Sequence, residues 1–407
     1  MATIATKPAP AGIDPALVLD YDFYADRRFN QPGGIPAAMI ELRDAAPDVF
    51  WSTALGGFWV VQGYDALIDA AKRPNLFSSS EMRLPPQPDL SPRFQSAPLN
   101  YDPPDHAPLR APLNKVFTPS QMHLRVDQIH GLAAELIDRV VPLGRADFFA
   151  EVTERLPVLI FIDIMGLNRA DYAYYRELAK AATGEPDQEI RTTAIGKGLV
   201  LLSEVIAERR ENPQDDLISY IVALEIGGEP IDDTLALGYC KLLFFAGLDT
   251  VANAMAFCMH YLAKDQGLQQ RLRDQPDKIP HAMEELLRRH SVAPVIRTVM
   301  KDEEWRGFNV RKGDMLVLNY PVANIDERVF ENADKVDVDR ERINHIAFGS
   351  GIHRCVGRHL ARIEIVALLE EVMKRLPTFR LDPDKMVPMR GGSVWSIPEL
   401  PLVWDDA

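Results

Sequence analysis

Cysteine is scarce in this chain: Cys240, Cys258 and Cys355 are the only three in 407 residues. An odd number, widely spaced, forms no disulfide framework, which excludes a small stapled scaffold and fits a reducing compartment. Basic charge is also in deficit. Lys plus Arg number 45 against 59 Asp plus Glu, a formal net charge of −14. The broad basic face that a nucleic-acid backbone requires is therefore missing, and no nucleic-acid partner is expected. No Gly/Ser linker, low-complexity tract or internal repeat divides the sequence. One domain over 1–407 is expected, with residues 1–14 as a loose tail. The opening MATIATKPAPAGIDPALVL has no apolar core between a basic start and a small-residue cleavage site. It does not read as a secretory signal, so a cytoplasmic location is expected. The longest apolar run, Leu235 to Leu262, is interrupted by Lys241, Asp249 and Asn253. Charges at a bilayer midplane are costly, so this run reads as a buried helix and no membrane partner is expected.

What is present is an ordinary globular balance of 47% hydrophobic and 26% charged residues, enough for a large core. After Gly33-Gly34, IPAAMIELRDAAP predicts a helix, and VFWSTALGGFWVVQGY predicts a hairpin turning near Gly56-Gly57. YDALIDAAKR predicts another helix. The eight prolines between Met82 and Pro108 then predict a long loop, a feature usually tied to function or disorder. Helical periodicity runs from there into the 230s, with Ser120 as a start signal and Pro142 as a stop. FNVRKGDMLVLNYP predicts a second hairpin turned at Lys312-Gly313, and HLARIEIVALLEEVMKRL a further helix. The expected fold class is mainly α with small β-sheets, an α+β arrangement.

Two stretches carry chemistry. In HIAFGSGIHRCVGRHLARIEI, Cys355 sits in a glycine-rich loop ahead of a helix expected to begin near Val356. Gly349, Gly351 and Gly357 allow close backbone approach, and a helix N-terminus favours a thiolate over a thiol. Zinc is one possible electrophile, through His353, Cys355 and His359, but the spacing does not match structural zinc sites. A Cys–His nucleophile is another. An iron porphyrin accounts for more: one thiolate below the iron, glycine packing on a flat ring, and His353 with arginines for the propionates. In AGLDT, Ala246 to Thr250, an acid and an alcohol interrupt the buried run. Asp249 could cap a new helix, yet no Glu or Gln stands three residues on to complete a capping box. A Thr250 hydroxyl bonded to the Ala246 carbonyl would instead open the helix into a small polar notch.

The run Phe348-Gly349-Ser350-Gly351-Ile352-His353-Arg354-Cys355-Val356-Gly357, followed by Leu360-Ala361-Arg362, resembles the haem-binding loop of the cytochrome P450 family. Glu285-Leu286-Leu287-Arg288 lies 70 residues before the cysteine. On its own it is an exposed i, i+3 ion pair worth roughly 0.2–0.5 kcal/mol; by the resemblance, Glu285 and Arg288 are the structural Glu-x-x-Arg pair. The resemblance covers nearly the whole chain and implies the P450 fold and haem b with Cys355 as the metal ligand. It further implies Phe348, Gly349 and Gly357 around the ring, and His106, Arg110, Arg297 and His353 as propionate partners. Arg297 is expected at the end of an extended segment. AGLDT resembles the oxygen-binding helix of these monooxygenases, with Asp249 and Thr250 as its acid–alcohol pair.

AGLDTV and the terminal LPLVWD look closest to the bacterial camphor-hydroxylating subgroup. Where that subgroup has a tyrosine bonded to a substrate carbonyl this chain has Phe94, and its propionate-side aspartate is Val295. Matched positions give a substrate pocket of Phe94, Leu242, Phe245, Ala246, Val292, Val295 and Val394, apolar and suited to a small terpenoid or norisoprenoid-like molecule. The implied reaction is hydroxylation with O2 and two electrons, ultimately from NAD(P)H through a ferredoxin reductase and a [2Fe–2S] ferredoxin. That ferredoxin is expected to dock over Arg110, Arg354, Arg358 and Arg362. A monomer is expected. The alternatives are a non-enzymatic haem sensor or carrier, which needs no proton relay, and a peroxide-using hydroxylase of the same fold.

Overall fold

The computed structural model describes residues 9–84, 95–184 and 187–404. The chain forms two compact units, each assembled from separated stretches: 1–107, 287–355 and 390–395 in one, and 108–286, 356–389 and 396–407 in the other.

In the first unit, a six-stranded sheet runs in the order Val18–Leu19, Val49–Ser52, Phe58–Val61, Met315–Leu318, Val295–Val299, Phe77–Ser78. The expected first hairpin is its centre, with Trp51 opposite Trp59. Gly56 and Gly57 close it at φ of 89° and 94°, values that strain any residue with a Cβ. Every residue of both strands is buried, which explains why they read as continuous apolar runs rather than as an alternation. The Trp51 and Trp59 rings meet edge to face at 5.3 Å, as do Phe77 and Trp305 at 5.0 Å, each pair contributing about 0.5–1.5 kcal/mol beyond its burial.

The second expected hairpin does not form. Phe308–Val310 pairs backward with Glu303–Trp305, across a turn in which Arg306 and Gly307 both have positive φ. Met315–Leu318 leaves it to pair with Phe58–Val61 and Val295–Val299. Gly313 does turn the chain, at φ 83°, but it joins two different sheets. Nor is the tail loose throughout 1–14. Asp14 caps the short helix Pro15–Leu17 by accepting from the Ala16 N–H, and Ala9 and Ile13 pack on the Trp51–Trp59 core; residues 1–8 lie outside the described residues.

Arg288 is fully buried. Its guanidinium donates to the carbonyls of Asn324 (2.8 Å), Ala333 (2.8 Å) and Lys335 (2.7 Å) and stacks on Phe330 at 5.1 Å. Three loop carbonyls thus depend on one side chain, and leaving them unsatisfied would cost about 1–3 kcal/mol each. Glu285, on the same helix Ile279–Arg289, is buried as well. The exposed ion-pair alternative for this segment is therefore replaced by a structural one.

The second unit is mostly helical. Asp233–Gly247 and Thr250–Leu262 form its buried centre, with Tyr239, Cys240, Met255 and Cys258 wholly enclosed. Asp233–Leu262 is long and apolar enough to cross a membrane; here it is enclosed mainly by other helices. Gln188–Glu211 and Tyr172–Gly184 pack beside it. A Cβ on Gly247 would stand 2.8 Å from the Phe161 ring, so the glycine at the end of the first helix is set by close packing. The expected start at Ser120 is displaced: Thr118 is the N-cap, accepting from Gln121 N–H at 3.3 Å, with Pro119 in the first turn. The terminal Pro401–Trp404 pairs between Phe379–Leu381 and Arg145–Asp147.

Candidate active site

The cysteine loop is held by its own backbone. The Cys355 N–H donates to the Phe348 carbonyl at 2.8 Å and Gly349 N–H to Ile346 at 2.9 Å. Gly349 and Gly351 take φ of 77° and 73°, the left-handed region that suits glycine. A Cβ at Gly351 would lie 2.2 Å from the Ala71 carbonyl oxygen, so this glycine serves packing inside the protein rather than approach to a flat ring. Gly357 does have open space beside it. It is the N-cap of the helix Arg358–Arg375, with no side-chain cap bond; the helix thus begins two residues later than expected. Cys355 is exposed while Cys240 and Cys258 are buried. Burial pushes both of those thiols up to about 12, which leaves them protonated and unable to act as thiolates.

Close to this loop, in the same unit, the structure gathers His106, Arg297 and His353. The two imidazoles meet edge to face at 4.4 Å. Arg297 lies in the middle of its strand Val295–Val299 rather than at an end. It is buried, and its guanidinium donates to the Ile296 carbonyl at 2.7 Å, which leaves further N–H donors for an anion. Burial pulls Arg297 below its ordinary value, opposed by Tyr320 and Asp102. Asp102 is a member of this cluster that sequence reasoning missed. Its carboxylate accepts from the Ser78 hydroxyl and from the Ser79 N–H at 3.1 Å, and lies 4.0 Å from His353 Nε2. Only its place in DPPDH, four residues before His106, could have signalled it. Tyr320 supports the loop by accepting from Ser350 N–H at 3.3 Å. In the second unit, Arg110 donates from Nε to Asn114 Oδ1 at 3.0 Å. Among the described residues no three His, Cys, Asp or Glu side chains converge as metal ligands, so the zinc alternative finds no support.

In the second unit the notch forms as the residues require. The helix stops at Gly247 and resumes at Thr250. The Thr250 hydroxyl donates to the Ala246 carbonyl at 3.0 Å, while Asp249 makes no side-chain cap bond. Leu242, Phe245, Ala246, Asp249 and Thr250 follow at helical spacing, and all keep some accessibility on a largely buried pair of helices. Asn253, one turn on, donates to the Asp249 carboxylate and carbonyl, both at 3.0 Å. It is itself fixed by accepting from Ile397 N–H at 3.3 Å. Asp249 also lies in the field of buried Arg176, which donates to the Leu248 carbonyl at 3.3 Å and to Glu154. Asn253 was legible only as an i+4 neighbour of an acid.

Of the other expected substrate contacts, Val292, Val295 and Val394 fall in the first unit. Val292 is buried and its carbonyl accepts from Trp395 N–H at 2.7 Å, which brings it beside Val394; Val295 is half-buried at the start of its strand. Phe94 lies outside the described residues. Of the expected docking arginines, Arg354 is exposed and Arg358 half-buried. Arg362 is engaged within the protein, donating to Glu284 through Nε and, at 3.0 Å, through a second nitrogen.

One unit thus carries an accessible thiol on a glycine loop near a buried guanidinium and two imidazoles, and the other an acid–alcohol notch in an apolar helix. The family model for cytochrome P450 matches residues 186–402. The probable cytochrome P450 127A1 of Sinorhizobium fredii is 31% identical over 98% of both chains. The steroid C26-monooxygenase of Mycolicibacterium smegmatis is 31% identical over 94% of both. The crystal structure of CYP101J2 superposes with a TM-score of 0.89 at 30% identity, covering 98% of this chain and all of that one. The chain belongs to the cytochrome P450 family, and it is a cytochrome P450 monooxygenase. Its residues fit the haem b that membership implies: one accessible thiol, a buried guanidinium with donors to spare, and two imidazoles beside it.

Proposed function

We propose that this P450 hydroxylates a small, neutral, hydrophobic substrate of terpenoid or norisoprenoid type, with electrons from NAD(P)H delivered by a ferredoxin reductase and a [2Fe–2S] ferredoxin. The observation that carries this reading is the accessible helix face in which Leu242, Phe245 and Ala246 are apolar and the Asp249–Thr250 notch adds an acid and an alcohol. Val292, Val295 and Val394, the further substrate positions the resemblance implies, are apolar too, so selectivity would rest on shape, at about 1–3 kcal/mol per methylene-scale misfit. Haem supplies the dioxygen-reducing and C–H-oxidising chemistry, with electron density donated by its thiolate ligand. Cys355 Sγ would hold its iron, Phe348, Gly349 and Gly357 would pack by its ring, and His106, Arg110, Arg297 and His353 would take its carboxylates. Thr250 Oγ1, its own proton donated to the Ala246 carbonyl, orders a water that delivers the proton, and Asp249, oriented by Asn253, replenishes it. A peroxide-using hydroxylase or a haem sensor has no use for that pair.

The test is the change in ferric spin state on titration with β-ionone, with the matched ionone carboxylic acid and with cholest-4-en-3-one. The named activity of the mycobacterial relative favours the last as a second, larger neutral ligand. The neutral ketones are expected to bind at least about tenfold more tightly than the acid, since an unpaired carboxylate is costly to desolvate. Selective binding of the acid would overturn the reading.

Ferredoxin docking is assigned to Arg354 and Arg358 with Arg110; Arg362, held by Glu284, is the weakest member. A local basic patch on a chain of net charge −14 speeds encounter with an acidic donor and is screened beyond about 8 Å at physiological salt. Arg354→Glu combined with Arg358→Glu is expected to slow ferredoxin-driven turnover about tenfold at low salt. It should also flatten the salt dependence. Rates and salt profile equal to the parent's would move the docking face elsewhere.

A further inference from the structure

Gly196 and Gly198 stand two residues apart inside the helix Gln188–Glu211, where glycine is a poorer choice than alanine. Their surroundings differ. A Cβ on Gly196 would meet nothing within 4 Å, whereas one on Gly198 would stand 2.9 Å from Phe245 Cζ and 3.5 Å from Cε2. The tip of the Phe245 ring therefore occupies the volume that any side chain at 198 needs. Phe244 flanks that ring at right angles, 5.2 Å away, and is itself packed on Tyr175 at 5.9 Å. Phe244 is fully buried while Phe245 keeps partial accessibility on the face it shares with Leu242 and Ala246.

We propose that Gly198 is a specificity-determining positioning residue: by admitting the Phe245 ring to the surface of its own helix, it keeps the space beside Ala246 open for a substrate. The inference rests on the substrate-facing reading of Phe245. A methyl at 198 would fall inside van der Waals contact, so the ring tip must move. Turning a side-chain torsion is easier than separating two close-packed helices. The ring then swings away from Gln188–Glu211 toward the accessible face and takes room from the ligand.

The experiment titrates the ferric holoenzyme with imidazole and with 4-phenylimidazole, both of which bind iron through nitrogen whatever the natural substrate is. The quantity read is the ratio of their dissociation constants. In Gly198→Ala the affinity for 4-phenylimidazole is expected to fall at least about fivefold relative to imidazole, the scale of a methylene-sized misfit. Gly196→Ala should leave the ratio at the parent value, and in a Phe245→Ala background Gly198→Ala should add nothing. If Phe245→Ala shifts the ratio but Gly198→Ala leaves it unchanged or raises it, the positioning role is overturned and the substrate-facing reading stands. Equal shifts in Gly196→Ala and Gly198→Ala overturn it too, as an effect of helix stiffening. A ratio unmoved by Phe245→Ala overturns both.

Discussion

Replacing Cys355 by alanine is expected to abolish hydroxylation and the thiolate-type absorption spectrum of the reduced, CO-bound protein, while Cys240→Ala and Cys258→Ala keep both. The three thiols separate on physical grounds. Cys240 and Cys258 are enclosed by helices, and burial pushes each up to about 12, so neither offers a thiolate near neutral pH. Cys355 is exposed, and its backbone is pinned to Phe348 across the glycine loop. Its side chain is presented by a rigid turn rather than by a packed helix. On the proposed assignment, removing the sulfur there costs the iron its ligand and little packing. At the other two sites the loss is one of packing, about 1 kcal/mol of stability each, with the spectrum intact. Haem content measured beside the spectrum separates a lost ligand from a lost cofactor. A thiolate-type spectrum surviving in Cys355→Ala would refute the assignment.

How much of this was legible depended on the range of the interactions involved. Local signals held: the Gly56-Gly57 hairpin, the helix after Gly33-Gly34 and the Thr250 bond that opens AGLDT all depend on residues within a turn of one another. The failed hairpin shows the limit. Gly313 does turn the chain, but Met315–Leu318 finds better partners in Phe58–Val61 and Val295–Val299. Phe308–Val310 instead closes on Glu303–Trp305 through Arg306-Gly307, a positive-φ pair suited to a tight hairpin. A strand's partner is chosen by burial across the sheet, which no local pattern contains. The site divides in the same way. Motifs marked Cys355, His353 and Asp249, whereas Asp102 beside His353, Asn253 under Asp249 and Gly198 behind Phe245 act through contacts that only the folded chain creates.

Thr250→Ala should leave the enzyme consuming NADH and O2 while product per NADH falls about tenfold and hydrogen peroxide takes the place of the missing alcohol. The hydroxyl donates to the Ala246 carbonyl at 3.0 Å, in the gap where the helix between Gly247 and Thr250 is interrupted. It is therefore oriented, and its lone pairs are left to order a water or accept a proton. Alanine removes that atom but keeps Asp249 and its bonds from Asn253, so electrons still arrive while protons are delivered to the wrong place. Asp249→Asn acts on supply. It keeps a polar group of the same shape without the exchangeable acid, and is expected to slow turnover by about ten- to a hundredfold with product per NADH near the parent value. Thr250→Ser restores the hydroxyl without the methyl, and should recover most of the coupling. Parent-like product per NADH in Thr250→Ala, or an equal loss in Thr250→Ser, would remove this hydroxyl from the mechanism.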